Sequence, residues 1–305
     1  MVPDHNWCRA IIEQRTHMQQ DINVKNWIQC GRSSKKSPDP MSHLGSVELW
    51  NERADGFAKI LDPRKKQKRM DEIFAMLDEA GFHAKGSRVL DIGCGPGAIS
   101  IPLARAGAKV TSLDISYKAL GYLKENADRE GLSIEPVECH WWTADIDELG
   151  LRNKFDLVVV SATPAVRDLA TFEQMMGCSR KFCYYSHFLP GGRNQSHDEL
   201  MREVLKKETF HPSRGSMSGF IYYFVYLYLN GYRPTVRINH SKKKNNVEWE
   251  NAADRAIKSL ERTGECTAAA KKKIRTYYKN SAVDGKYTSV SEAFSGMMVW
   301  DVTQK

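Results

Sequence analysis

The sequence predicts an α/β fold in which a mostly parallel sheet carries helices on both faces. Three observations lead there. Short apolar runs of strand length alternate with amphipathic stretches of helix length from about residue 88 onward. Val89-Leu90-Asp91-Ile92 is nearly continuous in apolar side chains, as a strand buried on both faces requires, and it runs into Gly93-Cys94-Gly95-Pro96-Gly97. Lys109-Val110-Thr111-Ser112-Leu113-Asp114 is a second such run, and it closes on an acid about twenty residues after the first glycine, where nucleotide-binding βαβ units place the acid that takes a ribose diol.

The elements follow in order. Residues 1–45 form a polar N-terminal extension with two short amphipathic helices, around Trp7, Ile11 and Ile12 and around Ile22, Val24, Trp27 and Ile28. A Gly/Ser/Pro-rich linker from Gly31 to Pro40 ends it. A helix is expected over Leu49–Leu61, and a second opens on Arg64-Lys65-Lys66-Gln67-Lys68-Arg69 and stops at Gly81. After the glycine turn comes a helix over Ala98–Ala106, with Pro102 expected to kink it or loosen its first turn, and then a helix over Ser116–Glu130. Ile134–Trp142, Phe155–Val160 and Lys181–His187 read as the third to fifth strands. Helices over Ser196–Lys207 and Gly219–Leu229, a strand over Thr235–Asn239, helices over Val247–Arg262 and Thr267–Tyr278, and a last strand over Phe294–Val302 complete the chain.

A chain of 305 residues buries a sizeable core without staples. The seven cysteines are scattered with no Cys-x-x-Cys pair, and no long apolar run or signal peptide is visible, so a reducing cytoplasm, no metal and no membrane span are expected. The formal charge of +8 favours an anionic partner. Lysine runs at Lys242-Lys243-Lys244 and Lys271-Lys272-Lys273 read as solvated surface, and the apolar stripes of the extension as docked packing or a homodimer contact.

Alternate glycines let backbone approach a ligand where any Cβ would clash. The spacing is Gly-x-Gly-x-Gly, and Asp91 two residues ahead would repel a pyrophosphate, so the implied ligand is a nucleoside with a cationic end. Together with Asp114 and the leading stretch Ser46-Val47-Glu48-Leu49-Trp50-Asn51-Glu52-Arg53-Ala54, this resembles the class I S-adenosylmethionine-dependent methyltransferases over about residues 46–160. The resemblance implies a seven-stranded, mostly parallel Rossmann-like sheet with an antiparallel last strand, and S-adenosylmethionine as cofactor. It divides the chain into the extension (1–45), a methyltransferase core (46–240), a helical insertion acting as a substrate lid (241–286) and the last strand of the core (287–305). It places Asp91, Gly93 and Gly95 on the methionyl part, Asp114 on the ribose, Ile115 on the adenine face and Asp145 on the adenine amino group, with Ser161 among the cofactor contacts.

Positioning matters most in such a reaction, because the sulfonium already makes the methyl group electrophilic. The turn Ser161-Ala162-Thr163-Pro164-Ala165 after the fourth strand lacks the Asn/Asp-Pro-Pro-Tyr pattern of amide and nucleobase nitrogen methylation. His187 is a candidate general base, and Tyr222, Tyr223 and Tyr226 are candidate walls of the acceptor pocket. The leading expectation is methyl transfer to a small, anionic molecule. An RNA or protein methyltransferase, and a cofactor-binding scaffold without catalysis, are the alternatives.

Overall fold

The computed structural model describes residues 42–59, 63–206, 219–261 and 266–305, so the expected N-terminal helices and linker lie outside the described residues. The strands are β1 (Arg88–Ile92), β2 (Lys109–Asp114), β3 (Ile134–Glu138), β4 (Phe155–Ser161), β5 (Ser179–Asn194), β6 (Thr235–Glu248) and β7 (Lys286–Asp301). They form one sheet in the order β3-β2-β1-β4-β5-β7-β6. Pairing is parallel from β3 through β5. Just after β7 the Val302 N–H donates to the Lys181 carbonyl at the start of β5, and the main chain of Glu292 on β7 lies against Gly192 near the end of β5, so these two strands run antiparallel. The chain reverses between β1 and β4 relative to β1 and β2, which opens a crevice at the carboxyl ends of these strands.

The chain divides into two compact units, Met1–His187 with Gly219–Arg237 and Gly296–Lys305, and Phe188–Ser218 with Ile238–Ser295. The first holds helices α1 (Val47–Lys59), α2 (Pro63–Glu79), α3 (Ser100–Arg105), α4 (Tyr117–Arg129) and α5 (Leu169–Cys178). β1 and β4 are buried almost end to end. One sheet face packs Val89, Val110, Leu157, Val159, Phe182 and Tyr184 against Met70, Ile73, Met76 and Leu77 of α2. α4 is capped by Ser116, whose hydroxyl accepts from the Ala119 N–H. α5 starts in a capping box between Asp168 and Thr171.

Several expectations are corrected. α3 begins at Ser100, two residues late, which puts Pro102 in the first turn, where a missing N–H costs nothing and no kink is needed. β3 ends at Glu138, and Trp141–Thr143 is a 3-10 turn. The Cys139 N–H closes the ladder on the Asp114 carbonyl, and the Trp141 indole turns inward to the Thr171 carbonyl.

The second unit is not the purely helical stretch 241–286. It begins at Phe188, because β5 continues to Asn194, β6 to Glu248, and β7 starts at Lys286. The helix expected over Ser196–Lys207 is a short α6 (Gln195–Glu199) followed by a π turn (Leu200–Val204). After α7 (Gly219–Leu229), which belongs to the first unit, come α8 (Trp249–Glu261) and α9 (Ala268–Asn280). This unit has its own core, in which Ala253, Ile257 and Leu260 of α8 share a face with Ile274, Tyr278, Tyr287, Leu200 and Val204. Side-chain pattern alone shows only part of each long strand, since the stretch 239–248 is mostly polar and exposed, and the stretch 286–293, although it buries Tyr287 and Ser289, carries no period-2 run of apolar residues.

Candidate cofactor and acceptor site

β1 and β2 end side by side, with Asp91 opposite Ser112 and Ile92 opposite Leu113. Asp91 is 2% exposed and Asp114 9% exposed. Two carboxylates buried this deeply need partners. The Asp114 oxygens accept from the Ser116 N–H and the Gly95 N–H, each at 2.8 Å. Asp91 accepts from the Ser100 hydroxyl at 2.6 Å, and Ser100 accepts in turn from Ser112 at 2.8 Å. Burial pushes the Asp91 carboxyl up to about 6, with the Ser100 hydrogen bond working the other way. Asp114 is likewise raised by burial, against its backbone hydrogen bonds.

The glycines of the turn differ in what their missing side chains allow. A Cβ on Gly93 would run into the Thr163 side chain, so this glycine lets the β1 turn lie against the loop after β4. A Cβ on Gly95 would meet no heavy atom within 4 Å, and its φ of 54° is in the left-handed region. Gly95 therefore faces open space, beside the buried Asp114 that its N–H binds. That is a cradle a side chain would fill, and its donor set suits a cationic nucleoside: one buried acid for an ammonium, one for a diol.

Residues 89–180 match the family model described as a methyltransferase domain. The chain carries a methyltransferase domain. The ribosomal RNA small subunit methyltransferase G of Yersinia enterocolitica is 32% identical over 145 residues, 44% of this chain and 65% of that protein. The ubiquinone biosynthesis O-methyltransferase of Bradyrhizobium diazoefficiens is 38% identical over 121 residues, 40% of this chain and 43% of that protein. The chain thus matches less than two thirds of the length of either relative. Among solved structures, magnesium protoporphyrin IX methyltransferase from Synechocystis PCC 6803 with bound SAM is similar at a TM-score of 0.45 and 17% identity, over 85% of this chain and 99% of that one.

Within the methyltransferase domain the structure brings Asp91, Gly93, Gly95 and Asp114 together, with half-buried Ile115 beside them. Asp145 is exposed, and its Oδ1 accepts from the Asp147 and Glu148 N–H groups, leaving Oδ2 for another donor. Ser161, at the end of β4, shares a 2.7 Å hydrogen bond with Ser186 and accepts from the Arg69 guanidinium at 2.6 Å. The chain then turns through Ala162 at φ 52°, held by its N–H on the Ser186 carbonyl. A non-glycine residue there costs about 1–2 kcal/mol, and such strain gathers at functional turns.

His187 is half-buried, its ring 6.2 Å from that of Tyr185. The tyrosines separate. Tyr223 is 2% exposed and stacks on Phe172 at 4.2 Å, so it belongs to an aromatic core with Tyr185 and Trp300. Tyr226 donates to Glu173 at 2.5 Å, and Tyr222 is half-buried at the edge of the cluster.

Sequence reasoning missed Arg69, read only as part of the basic opening of a helix, and the serines Ser100 and Ser112. Nothing in a run of like charges marks the one member that folds back onto a strand end. The serines carry a faint signal, since each replaces an apolar residue in an otherwise buried run. The lysine runs stay on the surface, with Lys242 paired to Glu292 at 2.9 Å and Lys271 to Glu261 at 2.6 Å. Among the described residues no helix is long and apolar enough to cross a membrane.

Proposed function

We propose that the protein transfers the methyl group of S-adenosylmethionine to a small, anionic acceptor. The observation that carries this reading is a pair of buried acids on neighbouring strands, Asp91 and Asp114, with Asp114 hydrogen-bonded to the open Gly95 turn. The cofactor supplies an electrophilic methyl group on a sulfonium. Asp91 takes its ammonium, Gly93 and Gly95 bring backbone close, Asp114 accepts the ribose hydroxyls, Ile115 covers the adenine, and Asp145 Oδ2 takes the adenine amino group. Each of these groups positions rather than reacts, and in-line positioning supplies most of the rate such a transfer needs.

The acceptor side is read at the carboxyl end of β4 and the stretch of β5 beside it, Ser186 and His187. Ser161 holds the exposed Arg69 guanidinium by one nitrogen, and a planar fork of N–H groups suits a carboxylate or phosphate. His187 serves as general base for a protic acceptor, and Tyr222 lines the pocket, held in place by the buried Tyr223 and the Glu173-bound Tyr226. The test is S-adenosylhomocysteine formation from radiolabelled S-adenosylmethionine with a metabolite fraction below about 1 kDa, compared with total RNA. Label transferred to the small fraction supports the reading. No turnover with either fraction would leave a cofactor-binding scaffold.

A second reading, methylation of RNA, is favoured by the charge of +8 and by the ribosomal RNA methyltransferase among the relatives. It requires RNA binding that falls steeply with salt.

A further inference from the structure

We propose that Ser112 and Ser100 are positioning residues, a buried hydroxyl relay that keeps the Asp91 carboxylate ionised and aimed at the cofactor ammonium. The relay thereby sets the pH down to which the cofactor binds. This rests on the cofactor reading above and adds to it two residues that touch no ligand.

The geometry is directional. Ser112 Oγ donates to Ser100 Oγ at 2.8 Å, and Ser100 Oγ donates to Asp91 Oδ2 at 2.6 Å. Each hydroxyl has one proton, so both are spent pointing toward the carboxylate, and the chain ends there. Ser112 stands directly opposite Asp91 in the β1–β2 register. Ser100 is the first residue of α3, beyond the glycine turn. The relay therefore joins the strand, its neighbour and the following helix at one carboxylate. Both serines are 0% exposed and Asp91 is 2% exposed, so solvent cannot replace either hydroxyl. A donor that is itself hydrogen-bonded donates more strongly, and more so in a low dielectric.

The relay is needed because Asp91's surroundings work against its charge. Burial is the largest influence and lifts the carboxyl to about 6. Asp114 on β2 adds to the rise, and Arg69 on α2 and the Ser100 hydrogen bond oppose it. The Cys94 thiol in the turn, itself pushed up by burial and by both acids, stays neutral beside it. Without the relay, protonation of Asp91 moves toward neutrality. A protonated acid offers an ammonium no counter-charge, so affinity falls about tenfold per pH unit below that point.

The experiment is calorimetric titration of the full chain with S-adenosylhomocysteine from pH 5.5 to 8, for wild type, Ser112→Ala and Ser100→Ala. Taking each variant's Kd as a ratio to wild type cancels the ligand's own titration. The ratio is expected to stay within about threefold at pH 8 and to exceed about tenfold at pH 6 for Ser100→Ala, with Ser112→Ala between the two. A ratio that does not change with pH, whatever its size, overturns the relay and leaves the serines as packing. If Ser100→Ala does not fold, Ser112→Ala carries the test, because it leaves the direct hydrogen bond to Asp91 in place. The Asp91 carboxyl resonance in ligand-free protein gives a readout independent of the cofactor: its titration must move to higher pH in both variants. A wild type that does not bind S-adenosylhomocysteine would sink the cofactor reading, whereas an unshifted Asp91 titration would sink the relay alone.

Discussion

The Gly95 N–H donates to the Asp114 carboxylate at 2.8 Å, so the turn after β1 and the acid at the end of β2 form one hydrogen-bonded unit. The same carboxylate also caps the start of the next segment through the Ser116 N–H. Asp114 is thus oriented by the backbone of the turn and of the following segment, and on the proposed reading it meets a ribose diol. Replacing it by alanine removes a charged acceptor from two hydroxyls, each bond worth about 1.5–3 kcal/mol. Affinity of Asp114→Ala for S-adenosylhomocysteine should fall at least a hundredfold by calorimetry. Binding within threefold of wild type would take Asp114 out of the ribose site.

Gly95→Val tests the cradle itself. No atom lies within 4 Å of a Cβ at this position, so the side chain would enter open space, and the cost to folding is the left-handed backbone alone. The melting temperature should drop by only a few degrees while cofactor affinity falls more than tenfold. Normal binding by a folded variant would place the ligand elsewhere.

Asp91 trades stability for binding. Its carboxyl is held near 6 by burial, against an ordinary value of 3.8, so the folded protein holds this proton more tightly than the unfolded chain does. The resulting stabilisation is complete below about pH 4 and is lost as pH rises through 6, at a cost of about 3 kcal/mol. Asp91→Asn should therefore raise the melting temperature of the ligand-free protein at pH 7.5, leave it nearly unchanged at pH 4, and abolish the further rise that S-adenosylhomocysteine gives wild type. A variant less stable than wild type at pH 7.5 contradicts the account.

Asp145→Asn separates two roles of one side chain. The amide keeps an oxygen for the Asp147 and Glu148 N–H groups and replaces the other oxygen with a donor. If Oδ2 accepts from the adenine amino group, affinity should fall about tenfold with no change in melting temperature. Unchanged affinity would reduce Asp145 to a turn residue.

In the second unit, Glu199 Oε2 accepts from the Tyr277 and Tyr287 hydroxyls at 2.7 and 2.8 Å, joining α6 to α9 and β7. Partial burial pushes this carboxyl up, but the hydrogen bonds from Tyr277, Gln195 and Tyr287 outweigh it and hold it below the ordinary range. Its stabilisation is accordingly present at neutral pH and lost as pH falls through the acid range. Glu199→Ala should cost about 2–4 kcal/mol, seen as faster hydrogen exchange in α9 and residues 286–295, with cofactor affinity within twofold of wild type. Exchange no faster than wild type would mean that the tyrosines find other acceptors.

What can be read from residue order is local. The strand and glycine turn at 89–97, the acid closing β2 and the alternation that makes a parallel sheet are written in contiguous residues. Hydrophobic period and glycine spacing report backbone state directly, and they single out Asp91, Gly93, Gly95 and Asp114, which β1, β2 and the turn bring near one another. The outer parts of β5, β6 and β7 carry no apolar alternation to mark them: residues 188–194 are interrupted by Pro190, Gly191 and Gly192, residues 239–248 are mostly polar and exposed, and in 286–293 the buried Tyr287 and Ser289 do not form an apolar run. Tyr223 was read as a pocket wall because a run of aromatic residues does not say which ring meets Phe172.

The fold class and the glycine turn with its neighbouring acids can be read from residue order, since both depend on short segments whose chemistry is carried by neighbours along the chain. Which hydroxyls hold Asp91, which arginine reaches Ser161 and where the second unit begins depend instead on packing. Ser112 and Ser100 are brought to one carboxylate by strand register and a helix start, and Arg69 reaches Ser161 across 92 positions of sequence. Such contacts depend on how elements pack, and packing selects a few partners among many residues of the same kind, so no local pattern announces them.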